Sequence, residues 1–246
     1  MTAIAMVTGA SGGLGQALAR ELRQAGWQLA LVGRDRERLR AVFNADELCI
    51  EADVSTPEGA GAALAQCQRE LGVPTALAHC AGTTLLAPLH RTPAEQYRAC
   101  LSANLDSAFF TLGAFVDALR EVRQPGAAVL VSSVVARIGV ANHEAIAAAK
   151  AGIEGLTRSA AATYATSRIR VNAVAPGILD TPAVARIIGN ETGRTAAAKQ
   201  YPLPGIGDPA DLARLMAWLL SEQAGWITGQ VWAMDGGFSS VRPLVR

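Results

Sequence analysis

The sequence predicts an α/β protein: one parallel β-sheet, doubly wound, with helices on both faces. Three observations predict it. Short β-rich runs alternate with longer helical ones along almost the whole chain, the pattern of strands joined by helical crossovers. Half of the residues are apolar and 17% are charged, enough to bury a sheet on both faces. At 246 residues, with no internal repeat, low-complexity linker or charge block, the chain reads as one domain spanning 1–246.

The elements follow in order. Ile4–Val7 reads as the first strand, then a glycine-rich turn and a helix over 14–25. Gln28–Val32 is the second strand, with a helix over 35–43. Leu48–Ile50 is the third, followed by a helix over 58–71. Thr75–Ala78 leads into a long helical stretch over 93–121, and Ala128–Ser132 into another over 144–166. Arg170–Ala173 is the sixth strand, and a helix over 208–221 precedes a seventh, Gln230–Met234. Between the last two strands, residues 177–207 are rich in Gly, Pro and Thr. A segment of that length after a strand's C-terminal end is expected to serve as a substrate lid.

Composition narrows the function classes. A net charge of +1 gives no electrostatic case for nucleic acid or an anionic membrane surface. Cys49, Cys67, Cys80 and Cys100 form no C-x-x-C pair and have no histidine at ligand spacing. They read as buried hydrophobes in a reducing compartment, and no metal is expected. The N-terminus lacks a basic segment followed by a long apolar one, and apolar runs such as 127–136 fall short of the roughly 20 residues that span a bilayer. The expectation is a cytoplasmic protein with neither membrane nor nucleic-acid partners.

The first turn, TGASGGLG, places Gly9, Gly13 and Gly15 between a strand and an amphipathic helix, with Ser11 and Leu14 in the same turn. Gly9 permits the tight turn, Gly13 lets backbone N–H groups approach a pyrophosphate, and Gly15 allows close packing. The helix N-terminus favours negative charge. With a second strand following, this context predicts a dinucleotide site. A carboxylate at the tip of that second strand would hold a ribose 2′-hydroxyl; Gly33 and Arg34 stand there instead, and a guanidinium suits a 2′-phosphate. NADP(H) is therefore preferred, with NAD(H) as the alternative; Gly12, where a basic residue would strengthen the case, weakens it slightly.

These pieces, followed in order by ADVS (52–55), HCAG (79–82), SANLDSAFF (102–110), VLVSSVVARIG (129–139), AAAKAGIEGLTRSAA (147–161), RVNAVAPGILDT (170–181) and ITGQVWAMDGG (227–237), resemble the short-chain dehydrogenase/reductase family. The nearest flavour is that of the 3-oxoacyl-thioester reductases. The resemblance implies a Rossmann-like fold and assigns roles. Asp53 contacts adenine, with Val54 beside it; Ala81 and Gly82 line the ribose; Pro176, Gly177, Ile178 and Thr181 frame the nicotinamide. Asn104 holds a water, Ser133 hydrogen-bonds the substrate oxygen, and Lys150 binds the nicotinamide ribose and lowers a neighbouring tyrosine's pKa. It also implies a homo-oligomer, tetramer or dimer, built through the helices 93–121 and 144–166 and the last strand with its preceding helix.

The tyrosine is absent. Four residues before Lys150 stands Ile146, flanked by Ala145 and Ala147, and the family's paired asparagines before Ala81 are His79 and Cys80. Hydride delivery to a ketone creates an alkoxide, and a positioned acid contributes about 10²–10⁴-fold. His143, seven residues before Lys150 on the same helix face, is the first candidate donor, Tyr201 in the lid the second, and a water held by Ser133, Asn104 and Lys150 the third. Tyr97 and Tyr164 read as structural. An iminium substrate would need no protein acid at all. Two functions remain: an NADP(H)-dependent oxidoreductase acting on a carbonyl/alcohol or imine with an atypical proton relay, or a catalytically impaired dinucleotide-binding protein with a regulatory or structural role. Retention of Ser133 favours the first, and loss of the phenol the second.

Overall fold

A computed structural model describes residues 3–242. Seven strands form one parallel sheet: β1 Ile4–Thr8, β2 Gln28–Gly33, β3 Leu48–Glu51, β4 Ala76–His79, β5 Gly126–Val131, β6 Ile169–Pro176 and β7 Val231–Met234. Their order across the sheet is β3-β2-β1-β4-β5-β6-β7. The chain moves outward from β1 on one side and then restarts at β4 on the other. That reversal opens a crevice above the C-terminal ends of β1 and β4, where ligands bind in doubly wound sheets. Thr8 pairs with His79 across it.

Among the described residues there are nine α-helices: α1 Gly13–Gln24, α2 Arg36–Arg40, α3 Pro57–Glu70, α4 Ala94–Leu101, α5 Ser107–Glu121, α6 Glu144–Tyr164, α7 Ala185–Ile188, α8 Glu191–Ala198 and α9 Pro209–Leu220. Alternate residues of each strand serve opposite faces, as the pleat requires. Val7, Leu31 and Val129 pack with Leu18 and Leu22 of α1 and Met216 and Leu219 of α9. Met6, Leu77 and Leu130 pack with Leu64 of α3, Phe115 and Leu119 of α5 and Ile153 of α6. Helix starts are locally encoded. Thr56 accepts the Gly59 N–H and Asp208 the Ala210 N–H, each with proline at the next position.

The departures from expectation have local causes. The helix expected over 35–43 ends at Arg40, whose guanidinium donates to the Asn44 and Ala45 carbonyls and turns the chain toward β3. The stretch expected as one helix over 93–121 carries a π-turn at Ser102–Asp106 between α4 and α5. The run Ala94–Glu121 is long and apolar enough to cross a membrane by length and composition, but Phe115, Val116 and Leu119 on it are buried against the sheet. Residues 177–207 are not a structureless loop. They hold α7 and α8, the latter capped by Asn190, and return to the sheet by a bridge between Leu179 and Gly207.

Candidate active site

The glycine turn builds one end of the crevice. Gly9 has φ +63°, and a Cβ there would lie 2.7 Å from the Ala81 nitrogen, so the β4 end sits directly against the turn. A Cβ on Gly15 would meet the Gly9 carbonyl oxygen at 2.4 Å. At Gly13 the missing side chain makes room for Thr181, whose Cγ2 would be 2.8 Å from a Cβ. The turn thus touches the loop after β6 as well as β4. α1 opens at Gly12 with neither a side-chain cap nor an acidic residue in its first turn. Its first N–H groups are left for an anion.

A cavity of about 620 Å³ runs from this turn along the strand ends. Ser11, Leu14, Val54, Ala81 and Gly82 line it. Arg34 and Arg38 both reach its far end, whereas the carboxylate of Asp35 caps α2 by accepting the Arg38 N–H at 3.0 Å. Arg38 is a second cation at that end, beyond the Arg34 that the sequence points to. Asp53 accepts the Ser55 N–H at 3.1 Å and its hydroxyl at 2.7 Å. These bonds, with a smaller contribution from the Arg34 charge, hold its carboxyl below the usual range. A bare helix N-terminus, a backbone-lined floor and two guanidinium groups at the adenosine end fit a phosphorylated dinucleotide.

A second cavity of about 350 Å³ shares Cys80, Ala81, Gly82, Thr83 and Thr181 with the first. Ser133, extended at the end of β5, accepts the Val135 N–H at 3.4 Å through its Oγ. Its own proton has no acceptor among the described residues. Lys150 on α6 is 8% exposed, and its Nζ donates to the Val131 carbonyl at 2.8 Å. Burial brings its pKa down to about 8. Ser132 beside it donates to the Lys150 carbonyl at 3.2 Å, and Glu154 joins α6 to Arg137, so the lysine rides on a clamped helix.

Asn104 sits inside the π-turn and is fully buried. Its Nδ2 donates to the Cys100 carbonyl at 2.9 Å and its Oδ1 accepts the Thr83 N–H at 3.2 Å. A Cβ on Gly82 would stand 2.6 Å from that Oδ1 and 3.5 Å from Lys150 Nζ, so only glycine lets the three meet. The π-turn distorts the helix where Asn104 faces the cavity, and π-turns gather at functional sites.

Ile146 lines the second cavity beside Lys150, one helical turn away. It is 5% exposed and packs with Cys100 and Ala145, against Leu85 and Val135. The wall there is aliphatic. His143 lines the same cavity; its Nδ1 lies 2.7 Å from the Ala141 carbonyl, so Nδ1 carries the proton and Nε2 is the free atom. Tyr201 also lines it. Its hydroxyl accepts the Ile178 N–H at 2.7 Å, leaving its proton available, and burial, with the Asp235 charge adding, raises its pKa. Pro176 and Gly177 complete this end, with the Tyr201 ring 2.7 Å from a Cβ built on Gly177.

Two features escaped sequence reasoning. Phe238 stacks on Tyr201, with ring centroids 5.1 Å apart, and closes the cavity from the C-terminal segment. His79 is fully buried between Thr8 (2.9 Å) and Ser107 (3.1 Å). The Ser107 hydroxyl donates to the Ala103 carbonyl at 2.9 Å, so His79 Nε2–H donates to Ser107 and Nδ1 accepts from Thr8. Burial, with the Lys150 charge, brings the imidazole to about 3, so it stays neutral and pins β1, β4 and α5 together beneath the site.

Comparison with known proteins places this geometry. Residues 9–239 match the family model described as enoyl-(acyl carrier protein) reductase. The chain is 36% identical to the cis-4-hydroxycyclohexanecarboxylate dehydrogenase of Sinomonas cyclohexanicum, over 97% of both chains. It is 33% identical to the 3-oxoacyl-(acyl-carrier-protein) reductase of Pseudomonas aeruginosa, over 95% of this chain and 96% of that one. The chain belongs to the short-chain dehydrogenase/reductase family. A short-chain type dehydrogenase/reductase from Mycobacterium marinum superposes with a TM-score of 0.90 at 26% identity, over 96% of this chain and 95% of that one. As a short-chain dehydrogenase/reductase, the chain is an oxidoreductase by family.

Proposed function

We propose that this short-chain dehydrogenase/reductase is an NADP(H)-dependent oxidoreductase that interconverts a carbonyl, or an imine, with its reduced form through an atypical proton relay. The observation that carries the proposal is that a dinucleotide-sized cavity shares Gly82 and Thr181 with a second one lined by both Ser133 and Lys150. A nicotinamide bound there supplies or accepts the hydride. The chain's residues do the rest. Arg34 and Arg38 grip a 2′-phosphate, the α1 N-terminus holds the pyrophosphate, and Asp53 and Val54 take the adenine. Ala81 and Gly82 let the ribose approach, and Thr181 and Ile178 frame the nicotinamide. Lys150 holds the second ribose while staying on the Val131 carbonyl, and the Ser133 O–H points a hydrogen bond at the reacting oxygen.

Ile146 cannot exchange a proton. His143, when its Nε2 also carries a proton, and the Tyr201 O–H, both on the cavity wall, are the groups that supply it, and the segment 177–207 that carries Tyr201 acts as the lid. Removing each in turn (His143→Ala, Tyr201→Phe) and recording the reduction rate against pH assigns the donor: the true donor's loss removes the basic limb of the profile, where the rate falls as the donor loses its proton. If neither change alters the profile, solvent is the donor. The second reading is a dinucleotide-binding protein without turnover, favoured by the close packing of Ile146 in its own apolar cluster. NADPH consumption with a panel of ketones, thioesters and imines separates the two: turnover supports the enzyme, and saturable binding with none supports the binding protein. The proposal includes a cytoplasmic homo-oligomer, supported by exposed Tyr97 and Phe109 on α4 and α5 and by Trp226 and Trp232 beside the open edge of β7.

A further inference from the structure

The second cavity is informative about what it admits. Its walls are branched and aliphatic: Val135 and Ile146 on one side, Val184 and Ile187 on the other. Tyr201 and Phe238 close one end, their rings inclined at 40°, so they form no parallel slot for a flat aromatic guest. Among the described residues no carboxylate and no guanidinium lines it, and Lys150, held on the Val131 carbonyl, is the one lysine that does. Of the arginines nearby, Arg194 pairs with Asp180, Arg137 with Glu154 and the Val231 carbonyl, and the exposed Arg186 of α7 does not line the cavity. Asn104 adds no free group, since both ends of its amide bond the protein.

Ser133 and Lys150 lie on the wall that takes the reacting oxygen, while Thr84, Gln200 and Tyr201 add uncharged polar groups elsewhere on the wall. At about 350 Å³ the space is at the small end of ligand pockets. From this we infer that the substrate is a compact, uncharged aliphatic ketone, cyclic or heavily branched, with one reacting oxygen, or the matching secondary alcohol. The inference rests on the oxidoreductase reading of the same site. In the forward direction the carbonyl carbon gains a hydride from the reduced nicotinamide, the C=O π bond breaks, and the oxygen gains a proton; the cofactor leaves oxidised. A substrate carboxylate would lose its water against valine and isoleucine without a cation to meet it. A carrier-bound acyl thioester would have to pass its polar arm over the same walls.

The test uses the full chain saturated with NADP+, which has no hydride to give, so that binding is read without turnover. 4-Methylcyclohexanone and 4-oxocyclohexanecarboxylate share one ring and differ in charge; acetoacetyl-CoA represents the thioesters. Calorimetry is expected to show the neutral ketone binding at least about a hundredfold more tightly than the carboxylate, and more tightly than the thioester. Equal or tighter binding of either anion, or no binding of the neutral ketone, overturns the inference. Ile187→Arg, a change on the lid wall away from Ser133 and Lys150, is expected to shift the preference toward the carboxylate at least about tenfold. An unmoved preference in that folded variant shows that these walls do not set it, and also overturns the inference. NADPH consumption is recorded separately. Selective binding of the neutral ketone without turnover leaves the substrate class standing and removes the oxidoreductase reading.

Discussion

Replacing Ile146 by tyrosine restores a phenol one helical turn from Lys150, and its two consequences oppose each other. The chemical gain is that of a positioned general acid, about 10²–10⁴-fold in the reduction of a ketone, or about 3–5 kcal/mol off the barrier. The structural cost comes from the cluster Ile146 occupies with Cys100, Ala145, Leu85 and Val135. Overpacking such a site costs about 1–3 kcal/mol, and the ring escapes part of it by turning into the 350 Å³ cavity that Ile146 lines. The Lys150 ammonium beside it favours the phenolate, so the new group titrates below an ordinary tyrosine. The assay is NADPH oxidation with a cyclic ketone across pH, for the natural chain, Ile146→Tyr and Ile146→Phe. The tyrosine variant is expected to gain at least about tenfold even after misalignment, with a new basic limb in its profile; the phenylalanine variant, of similar bulk, gains nothing. A folded tyrosine variant that binds NADPH and shows no gain would refute the claim that a missing phenol is what limits this site.

Further outcomes follow from the same geometry. Arg34→Ala removes one of two guanidinium groups at the adenosine end and is expected to weaken NADPH by about 10–100-fold while leaving NADH nearly unchanged; equal losses in titrations of both overturn the cofactor preference. Lys150 has a folded pKa of about 8 against an ordinary 10.5. The unfolded chain therefore binds more protons between those values, and folding stability from this group rises with pH across that window. At neutral pH the buried charge costs about 3 kcal/mol, reduced by its bond to Val131, so Lys150→Met is expected to stabilise the cofactor-free protein in urea melts at pH 7 and to lose that advantage above pH 10.5. A variant destabilised equally at both would contradict the assignment. Gly9→Ala forces a side chain into φ +63° and against the Ala81 nitrogen; it is expected to cost about 1–3 kcal/mol or more and to abolish nucleotide binding, and a variant with undiminished affinity would show that the turn tolerates a side chain.

The sheet was readable because each strand is a short apolar run and each crossover an amphipathic one, and both patterns are local. The site was readable where its residues share one element. His143, Ile146 and Lys150 lie on one helix at spacings that fix a common face, and the structure brings all three to one cavity. What could not be read depends on contacts across the chain. The π-turn around Asn104 adds no residue type that a helical period would flag. The His79 network joins Thr8 to Ser107, 99 positions later, through a residue that reads alone as an odd substitution. Phe238 reaches Tyr201 from the far side of β7. The engagement of Asp35 as a helix cap, beside Arg34 and Arg38 at the cavity end, is a matter of where one carboxylate points. The substrate was not readable for the same reason: pocket walls come from six stretches, within 80–86, 131–150, 176–187 and 197–201 and at Asn104 and Phe238.

The central claim is that the glycine turn and the crevice beside it hold a phosphorylated nicotinamide nucleotide against Ser133 and Lys150. Calorimetric titration of the intact chain with NADPH and with NADH tests it most directly. One saturable site, tighter for NADPH, with proton uptake appearing above about pH 8 as Lys150 is recharged, is the predicted result. A folded protein that gives no binding heat with either nucleotide, and none with their oxidised forms, would contradict it.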